Sequence, residues 1–258
     1  MSLSTLSKFY YGHTVDLTNC YIDFDEGGAE LSAQIASGNY TLTEYLTAVK
    51  VALDAVGALT YSVSVNRSTR IITISSTSNF TLRRNTGSHS SNNAWAMLGF
   101  TTVANSTGAS TYAGTLESGS VYIPQALLTE HIPSENWLEK NDASVNESAS
   151  GIVQVIYFGD TRFIQFNIRF ATDRTISSLQ TQIETQASGV ANLRTFMDYL
   201  VSKYKFEFMP DRSTTSTYYK VILEKTEESK NGVSYKLKEL KNTSGYYETG
   251  RLILRVIS

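Results

Sequence analysis

GNYTLTEYLTAVKVALDAVGALTYSVSVNRSTRIITIS, residues 38–75, contains two periods of apolar residues with almost nothing between them. Leu42, Tyr45, Leu46, Val49, Ala52, Leu53 and Val56 recur at the spacing of one face of an α-helix. Thr41 is placed to cap that helix. Glu44, three residues on, completes a capping box that satisfies two otherwise orphan amides. Gly57 stands where a left-handed C-terminal residue is wanted, so the helix is expected over 41–57. The period then drops to two. Tyr61, Val63 and Val65 alternate with small polar residues, and Ile72 and Ile74 answer them across a turn at 66–69, a hairpin spanning 61–75. A helix and a hairpin, each with one apolar face, can cover one another.

Upstream, residues 1–36 read as short strands. Thr14 to Phe24 alternates loosely, residues 23–30 (DFDEGGAE) form a glycine turn, and Leu31, Ala33 and Ile35 mark the next strand. Downstream, Phe80 and Leu82 suggest one further strand and 83–93 a polar loop. Residues 94–100 (AWAMLGF) are an apolar knot that plugs the end of this core. Residues 101–120 are mostly Thr, Ser, Gly, Ala and Asn, which is loop chemistry. Residues 121–128 are strand-like, with Pro124 marking an edge or bend. The polar stretch 129–150 is expected to join two domains, 1–128 and 151–258.

The second half repeats the order of helix followed by hairpin. Residues 151–157 and 163–170 read as a hairpin around Gly159 and Asp160, with Ile164, Phe166, Ile168 and Phe170 on one face. Residues 175–204 look helical in two pieces broken near Gly189. The second piece, near 190–205, places Leu193, Phe196, Met197, Leu200, Val201 and Tyr204 on one side. Phe206 and Phe208 resume as a strand that Pro210 stops. Tyr219, Val221 and Leu223 are expected to pair with Tyr235, Leu237 and Leu240 across Asn231 and Gly232. Leu252, Leu254 and Val256 close the chain as a strand. The fold class is therefore α+β and β-rich, antiparallel sheets or sandwiches with one or two amphipathic helices packed against each.

Composition narrows the function classes. The 258 residues carry a net charge of −2 with 18% charged side chains, no field for gripping a phosphate backbone, so no nucleic-acid partner is expected. Sixteen Tyr and 11 Phe against 3 Pro favour strands. Low charge with many small polar residues suits surfaces that meet other proteins. Cys20 is the single cysteine, so the core alone must hold the fold. Residues 1–10 show no basic region followed by an apolar run, and no stretch approaches the roughly 18–20 apolar residues of a membrane span.

Chemistry-bearing patterns are sparse. His13, His89 and His131 are far apart and form no HxxxH or HExxH, which argues against a shared metal or catalytic role. No GxSxG anchors a Ser/His/Asp arrangement, and no GxxxxGK[ST] cradles phosphate. Cys20 reads as a small buried hydrophobe. Asp23, Asp25 and Glu26 before Gly27 and Gly28 are the densest carboxylate group. They are chemically able to hold Ca²⁺, but an ordinary solvated turn is the better reading. No catalytic, cofactor or metal residue is assigned, and an enzyme is the least favoured class. Trp95 reads as core. Trp137 reads as an interface anchor, because Trp is enriched at binding hot spots, with a glycan platform as the minority reading. Tyr112, Tyr122 and Glu139 join it as interface candidates, since 101–120 and the segment around Trp137 have no evident core of their own.

Residues 30–76 followed by AWAMLGF resemble a module of virion proteins in tailed bacteriophages and other large DNA viruses: strand, Gly-x-Tyr-Thr, amphipathic helix, hairpin, Leu-Gly-Phe knot. The likeness covers roughly residues 20–115. In the second half, GIVQVIYFGDTRFIQFNIRF (151–170), YLVSKYKFEFMPD (199–211) and ETGRLILRVIS (248–258) resemble distal-tail-type tail proteins, whose strand-rich domain forms a ring at the end of the tail tube. The resemblance implies a non-enzymatic virion component of the tail or baseplate, made in the host bacterial cytoplasm. Its partners would be further copies, as a ring, trimer or hexamer, and adjoining tail or baseplate proteins. Capsid decoration, a neck protein, or a receptor- or glycan-binding tail module are the alternatives.

Overall fold

A computed structural model describes residues 8–122, 137–147, 153–168, 190–209, 218–241 and 245–257. In chain order the first elements are β1 (Lys8–Tyr10), β2 (His13–Val15), β3 (Tyr21–Asp25), β4 (Leu31–Gln34) and β5 (Gly38–Tyr40). Helix α1 (Leu42–Val56) follows, then β6 (Tyr61–Asn66), β7 (Ile71–Leu82), β8 (Ser106–Ala113) and β9 (Val121–Tyr122). The remainder comprises β10 (Trp137–Glu147), β11 (Val153–Asn167), α2 (Val190–Val201), β12 (Phe206–Met209) and β13 (Tyr219–Thr226). The last three are β14 (Lys238–Glu239), β15 (Tyr247–Glu248) and β16 (Arg251–Val256). The protein is β-rich α+β. Among the described residues no helix is long and apolar enough to cross a membrane.

The chain divides into two compact units. The N-terminal unit is Tyr10–Val121 together with Lys205–Glu207; the other consists of Met1–Phe9, Tyr122–Tyr204 and Phe208–Ser258. The expected boundary near 128 thus lies at 121. The chain also crosses back: residues 205–207 belong to the first unit although they follow α2.

In the N-terminal unit the capping box forms as the spacing of Thr41 and Glu44 requires, and Leu42, Tyr45, Leu46, Val49, Ala52 and Leu53 are buried. Val56, the last residue of the predicted stripe, is exposed. Helix α1 lies on β4, β5 and β6. Burying each Leu or Val of that stripe contributes roughly 1.5–3 kcal/mol. The hairpin register pairs Val63 with Ile74 and Val65 with Ile72, so the apolar alternation and the ladder agree. Rings continue the packing edge to face: Phe24 on Tyr61 at 5.5 Å, Tyr61 on Phe80 at 5.4 Å, Phe80 on Tyr112 at 5.0 Å. Trp95, Leu98 and Phe100 of the knot belong to the same core.

Three expectations for this unit change. Gly57 is extended (φ −84°), not left-handed; its amide donates to the Leu53 carbonyl oxygen at 2.9 Å. A Cβ there would lie 2.6 Å from Glu26 Oε1 and 2.8 Å from the Tyr61 ring, so close approach is what selects glycine. Phe80 and Leu82 do not start another strand. They continue β7, which passes an irregularity between Ser75 and Phe80. Residues 101–120 are not simply a loop, because β8 pairs antiparallel with β7. Its Thr, Ser and Tyr residues suit a half-wet pleated strand, which a composition-based loop assignment overlooks.

In the second unit the described strands form a seven-stranded sheet in the order β10-β11-β16-β13-β12-β1-β9. Strand β16 sits between β11 and β13, with Leu254 opposite Ile164 on one side and Leu223 on the other. Leu252, Ile253 and Leu254 are all buried, as a strand covered on both faces requires. Helix α2 packs on β13 and buries Leu193, Phe196, Met197 and Leu200, whereas Tyr204 beyond its end is exposed. Phe9 stacks on Phe208 at 4.9 Å and Tyr122 on Phe196 at 4.5 Å.

Three further expectations fall here. The hairpin predicted around Gly159 and Asp160 is one uninterrupted strand of 15 residues. The register with β10 slips at that glycine, where Asp142 faces Gly159 and Ala143 faces Tyr157, so the glycine marks a bulge and not a turn. Residues 137–147, predicted within a joining segment, are the β10 partner of β11. Gly232 does make a turn (φ +61°), but β13 pairs with β16, while Lys238 and Glu239 pair with β15. The more apolar strand displaced the nearer one. The predicted helical piece before Gly189 and the strand at 123–128 lie outside the described residues.

Candidate functional site

The buried polar groups of the N-terminal unit converge on the ends of α1 and on the loops around β3. Glu207, between Phe206 and Phe208 on β12, is fully enclosed. Its Oε1 accepts from the Thr43 amide at 2.6 Å, and its Oε2 accepts from Arg67 Nη1 at 2.6 Å. Arg67 Nη2 donates to Thr43 Oγ1 at 2.9 Å, and the guanidinium lies 5.5 Å above the Tyr10 ring, whose hydroxyl donates to the Arg67 carbonyl. The N-terminus of α1 is thereby closed in full view of its macrodipole: Thr41 caps the Glu44 amide and a carboxylate from a distant strand caps the Thr43 amide. Burial, ahead of the opposing pull of Arg67, pushes the Tyr10 hydroxyl up to about 12.

The acidic group at 23–26 is not a solvated turn. Asp23 and Asp25 are buried. Asp23 Oδ1 accepts from Ser32 Oγ at 2.7 Å and from His89 Nδ1 at 2.8 Å; its Oδ2 accepts from the His89 amide at 2.7 Å. Asp25 takes Arg83 Nε at 2.8 Å and the Gly27 amide at 3.0 Å. Glu26 turns elsewhere, accepting from the Ala58 and Leu59 amides, both at 3.0 Å, and from the Tyr61 hydroxyl at 2.8 Å. Burial alone would raise the Glu26 carboxyl, but the two amides and the hydroxyl outweigh it and hold it below the usual carboxylate range. Tyr61 is correspondingly raised, by burial first and by Glu26 second. The three carboxylates diverge, each fixing a different loop, and among the described residues no group of His, Cys, Asp and Glu is arranged to hold a metal ion.

The histidines separate likewise. His89 stacks on Tyr21 at 3.8 Å, and its pairing with Asp23 fixes the 83–93 loop to β3. His13 is buried and stacks on Tyr45 at 4.4 Å. Ser118 Oγ donates to the Met97 carbonyl at 2.6 Å, so it must accept from His13 Nε2 at 3.1 Å, and Nε2 carries the ring proton. Nδ1 is buried with no partner among the described residues, as is the Tyr45 hydroxyl. Burial, partly opposed by Glu207, lowers His13 to about 4. His131 lies outside the described residues. Cys20 is buried beside β3, as expected of a small hydrophobe.

The interface candidates end in different places. Trp137 and Glu139 lie on β10, the outermost of the described strands of the seven-stranded sheet, opposite Ile164 and Arg162 in register. Their side chains lie outside the description. Tyr122 is 2% exposed, and its ring packs against Phe9 and Phe196 in its own unit. Tyr112 is half-buried. Its hydroxyl donates to the Phe80 carbonyl at 2.7 Å and accepts from the Ala109 amide at 2.9 Å, while among the described strands β8 pairs with β7 alone.

Glu207 and Ser118 were absent from the sequence-based candidates. A signal for Glu207 existed: a lone carboxylate between two phenylalanines in a strand must be paired if that strand is buried on both faces. Ser118 had none, because its partner is 105 residues away. No protein-family model matches the chain, and no curated protein matches it either.

Proposed function

We propose that the chain is a structural component of a tailed-bacteriophage virion, a tail or baseplate part of the distal-tail type that works by assembling with further copies and with adjoining tail proteins. The observation that carries this reading is the helix–hairpin at 38–75 closed by the Trp95 knot into one core, the arrangement that the resemblance to virion modules implies. The use of the polar residues supports it. Asp23, Asp25, Glu26 and Glu207 all accept from backbone amides or neighbouring side chains of their own unit, so their chemistry is spent on holding loops in fixed shape. A part whose task is geometric needs such rigidity. The mechanism is one of surfaces: sheet edges and Ser-, Thr- and Tyr-rich loops bury against neighbours in the virion.

The test is peptide mass spectrometry of gradient-purified particles from a lysate of the host that carries this sequence, with negative-stain images of the purified protein. The chain is expected in the particles at a fixed ratio to the tail-tube protein, and as a closed ring of three or six copies in the images. A chain abundant in the lysate and absent from the particles overturns the reading.

A further inference from the structure

Sheet edges expose rows of unpaired amides and carbonyls, and proteins guard them with charge, proline or brevity. Most edges here are guarded. Strand β10 carries Glu139, Lys140, Asp142 and Glu147, and β4 has 4 residues. Strand β6 is fastened at both ends, by Asp54 accepting from the Tyr61 amide at its start and by the Arg67 turn at its finish. Strand β8, STGASTYA, carries neither charge nor proline, and no Asp, Glu, Lys, Arg or Pro occurs between Arg84 and Glu117. Its pairing with β7 is irregular in the first half, around Gly108 (φ +80°), and regular from Thr111 to Ala113, which is where an open edge is presented.

The register shows which groups face out. The Gly114 amide donates to the Ile72 carbonyl at 2.8 Å, and the ladder continues with Ala113 opposite Thr73, Tyr112 opposite Ile74 and Thr111 opposite Ser75. Antiparallel ladders alternate between pairs that exchange hydrogen bonds and pairs that do not. Gly114 and Tyr112 therefore face β7, whereas the N–H and C=O groups of Thr111 and Ala113 point away from it. Both residues are exposed. Among the described residues no other strand lies against that side.

We infer that β8 is a pairing edge for β8 of a second copy of this chain, the two strands running antiparallel about a two-fold through Tyr112. That register sets Thr111 of each copy opposite Ala113 of the other, so every outward amide meets an outward carbonyl. It sets the two Tyr112 rings side by side at the closer, non-hydrogen-bonded spacing. Charge decides for a like partner. Identical charged edges repel when they meet, and this one has nothing to repel; a foreign strand would be selected by charge or by side-chain pockets, and β8 offers neither. Val103 (82% exposed) and Leu116 (53%), which flank the strand in sequence, are exposed and likewise uncharged. The inference deepens the proposed homo-oligomeric role and rests on it for its biological meaning, although the edge geometry stands by itself.

The experiment is light scattering on the full chain across a concentration series, with deuterium exchange on the same samples. The expected mass is an even multiple of the 28.6 kDa chain, which of the proposed rings admits the one of six copies and not the one of three, with the Thr111 and Ala113 amides exchanging at least ten-fold slower in the assembled fraction. Thr111→Lys and Thr111→Glu leave the β7 ladder intact, since Thr111 makes no hydrogen bond to it. Each is expected to halve the number of copies, and mixing the two is expected to restore it. Thr111→Ser should change nothing. A chain that stays monomeric, or an assembly that Thr111→Lys leaves unchanged with both amides fast, overturns the inference. Either result leaves the virion reading standing if the chain is found in particles. A Thr111-dependent dimer from a chain missing from particles separates the two in the opposite direction.

Discussion

The two units solve the same problem with different chemistry. In the unit around β16, the described buried side chains are mostly apolar: Leu252, Ile253 and Leu254 in the strand, with Phe9, Phe196 and Phe208, while Lys8, Thr226 and Thr249 are the buried polar residues and none is a carboxylate. In the N-terminal unit an equally dry core is ringed by buried acids, Asp23, Asp25 and Glu207, with half-buried Glu26 beside them. The difference follows from loop content. Residues 83–105 run without a strand, and backbone amides that leave a ladder must find acceptors before they can be buried. Carboxylates placed at 23, 26 and 207 supply them. In the other unit the described strands satisfy one another along the seven-stranded ladder, and few buried carboxylates are called on. Polar anchoring makes the N-terminal unit sensitive to pH and to single-atom substitutions, to which the aromatic core is indifferent.

Glu207→Ala should break this contrast most sharply. It leaves Arg67 buried without its counter-charge and the Thr43 amide without its acceptor, at a cost of about 3–5 kcal/mol in urea unfolding followed by the fluorescence of buried Trp95. Phe196→Ala in the other unit should cost a similar amount, about 3–5 kcal/mol, through the cavity it opens beneath Tyr122 and Phe9. The two separate on a second axis. The Arg67→Met/Glu207→Met double variant should recover most of the first loss, because a buried pair is replaced by matched apolar volume, with the residual set by the unpaired Thr43 amide. If the double variant is no better than Glu207→Ala alone, the pair is not what the segment at 205–207 contributes.

His13 gives the pH half of the comparison. An unfolded histidine titrates near 6.5 and the buried one near 4, so between those values the unfolded chain holds a proton that the folded chain refuses. Stability therefore falls as the solution is acidified from about pH 6.5 to pH 4, by about 3 kcal/mol in total, and is flat in this respect above pH 7. His13→Gln should abolish that slope while leaving the transition of a Phe196→Ala background otherwise unchanged. A slope that survives the substitution would move its origin to Glu26, whose carboxyl burial alone would raise but the Leu59 and Ala58 amides and the Tyr61 hydroxyl hold below the usual range.

Much of the contrast was legible in the sequence for local reasons. Helix α1, its capping box and the β6–β7 register all follow from spacings within about forty residues, where the apolar period, the cap and the turn agree. Long-range choices were not legible. The pairing of β13 with β16 instead of the nearer 235–240 segment is decided by which strand buries more apolar area. The glycine at 159 looks the same on paper whether it makes a turn or a bulge. Asp23 was visible as an acid near a glycine turn, but its partner His89 is 66 residues away, and no local pattern joins them. Gly57 shows the limit most plainly: glycine was expected there, and the reason for it was different.

That reason can be tested at smaller scale. Gly57→Ala meets no backbone penalty, since its φ is ordinary, but the new methyl must displace Glu26 Oε1 and the Tyr61 ring. The cost should be about 1–3 kcal/mol, and Glu26→Gln should not add to it fully, since both act on one contact. Full additivity would return Gly57 to a purely helical role.

The smallest expected effect belongs to the cap that the sequence showed first. Thr41→Ala removes the acceptor for the Glu44 amide, at 3.3 Å a long hydrogen bond, but leaves Glu44 Oε2 on the residue 41 amide at 2.9 Å and Glu207 on the Thr43 amide. An isolated helix would lose about 1 kcal/mol or more. Here the neighbouring amide already has a carboxylate, so the loss should sit near the lower end, about 0.5 kcal/mol in the same urea assay. In a Glu207→Ala background the same substitution should cost about 1–2 kcal/mol, the range of a cap acting alone. Equal costs in the two backgrounds would mean that the local cap and the long-range one act independently, and that residues 205–207 are joined to the N-terminal unit through Arg67 and not through the helix.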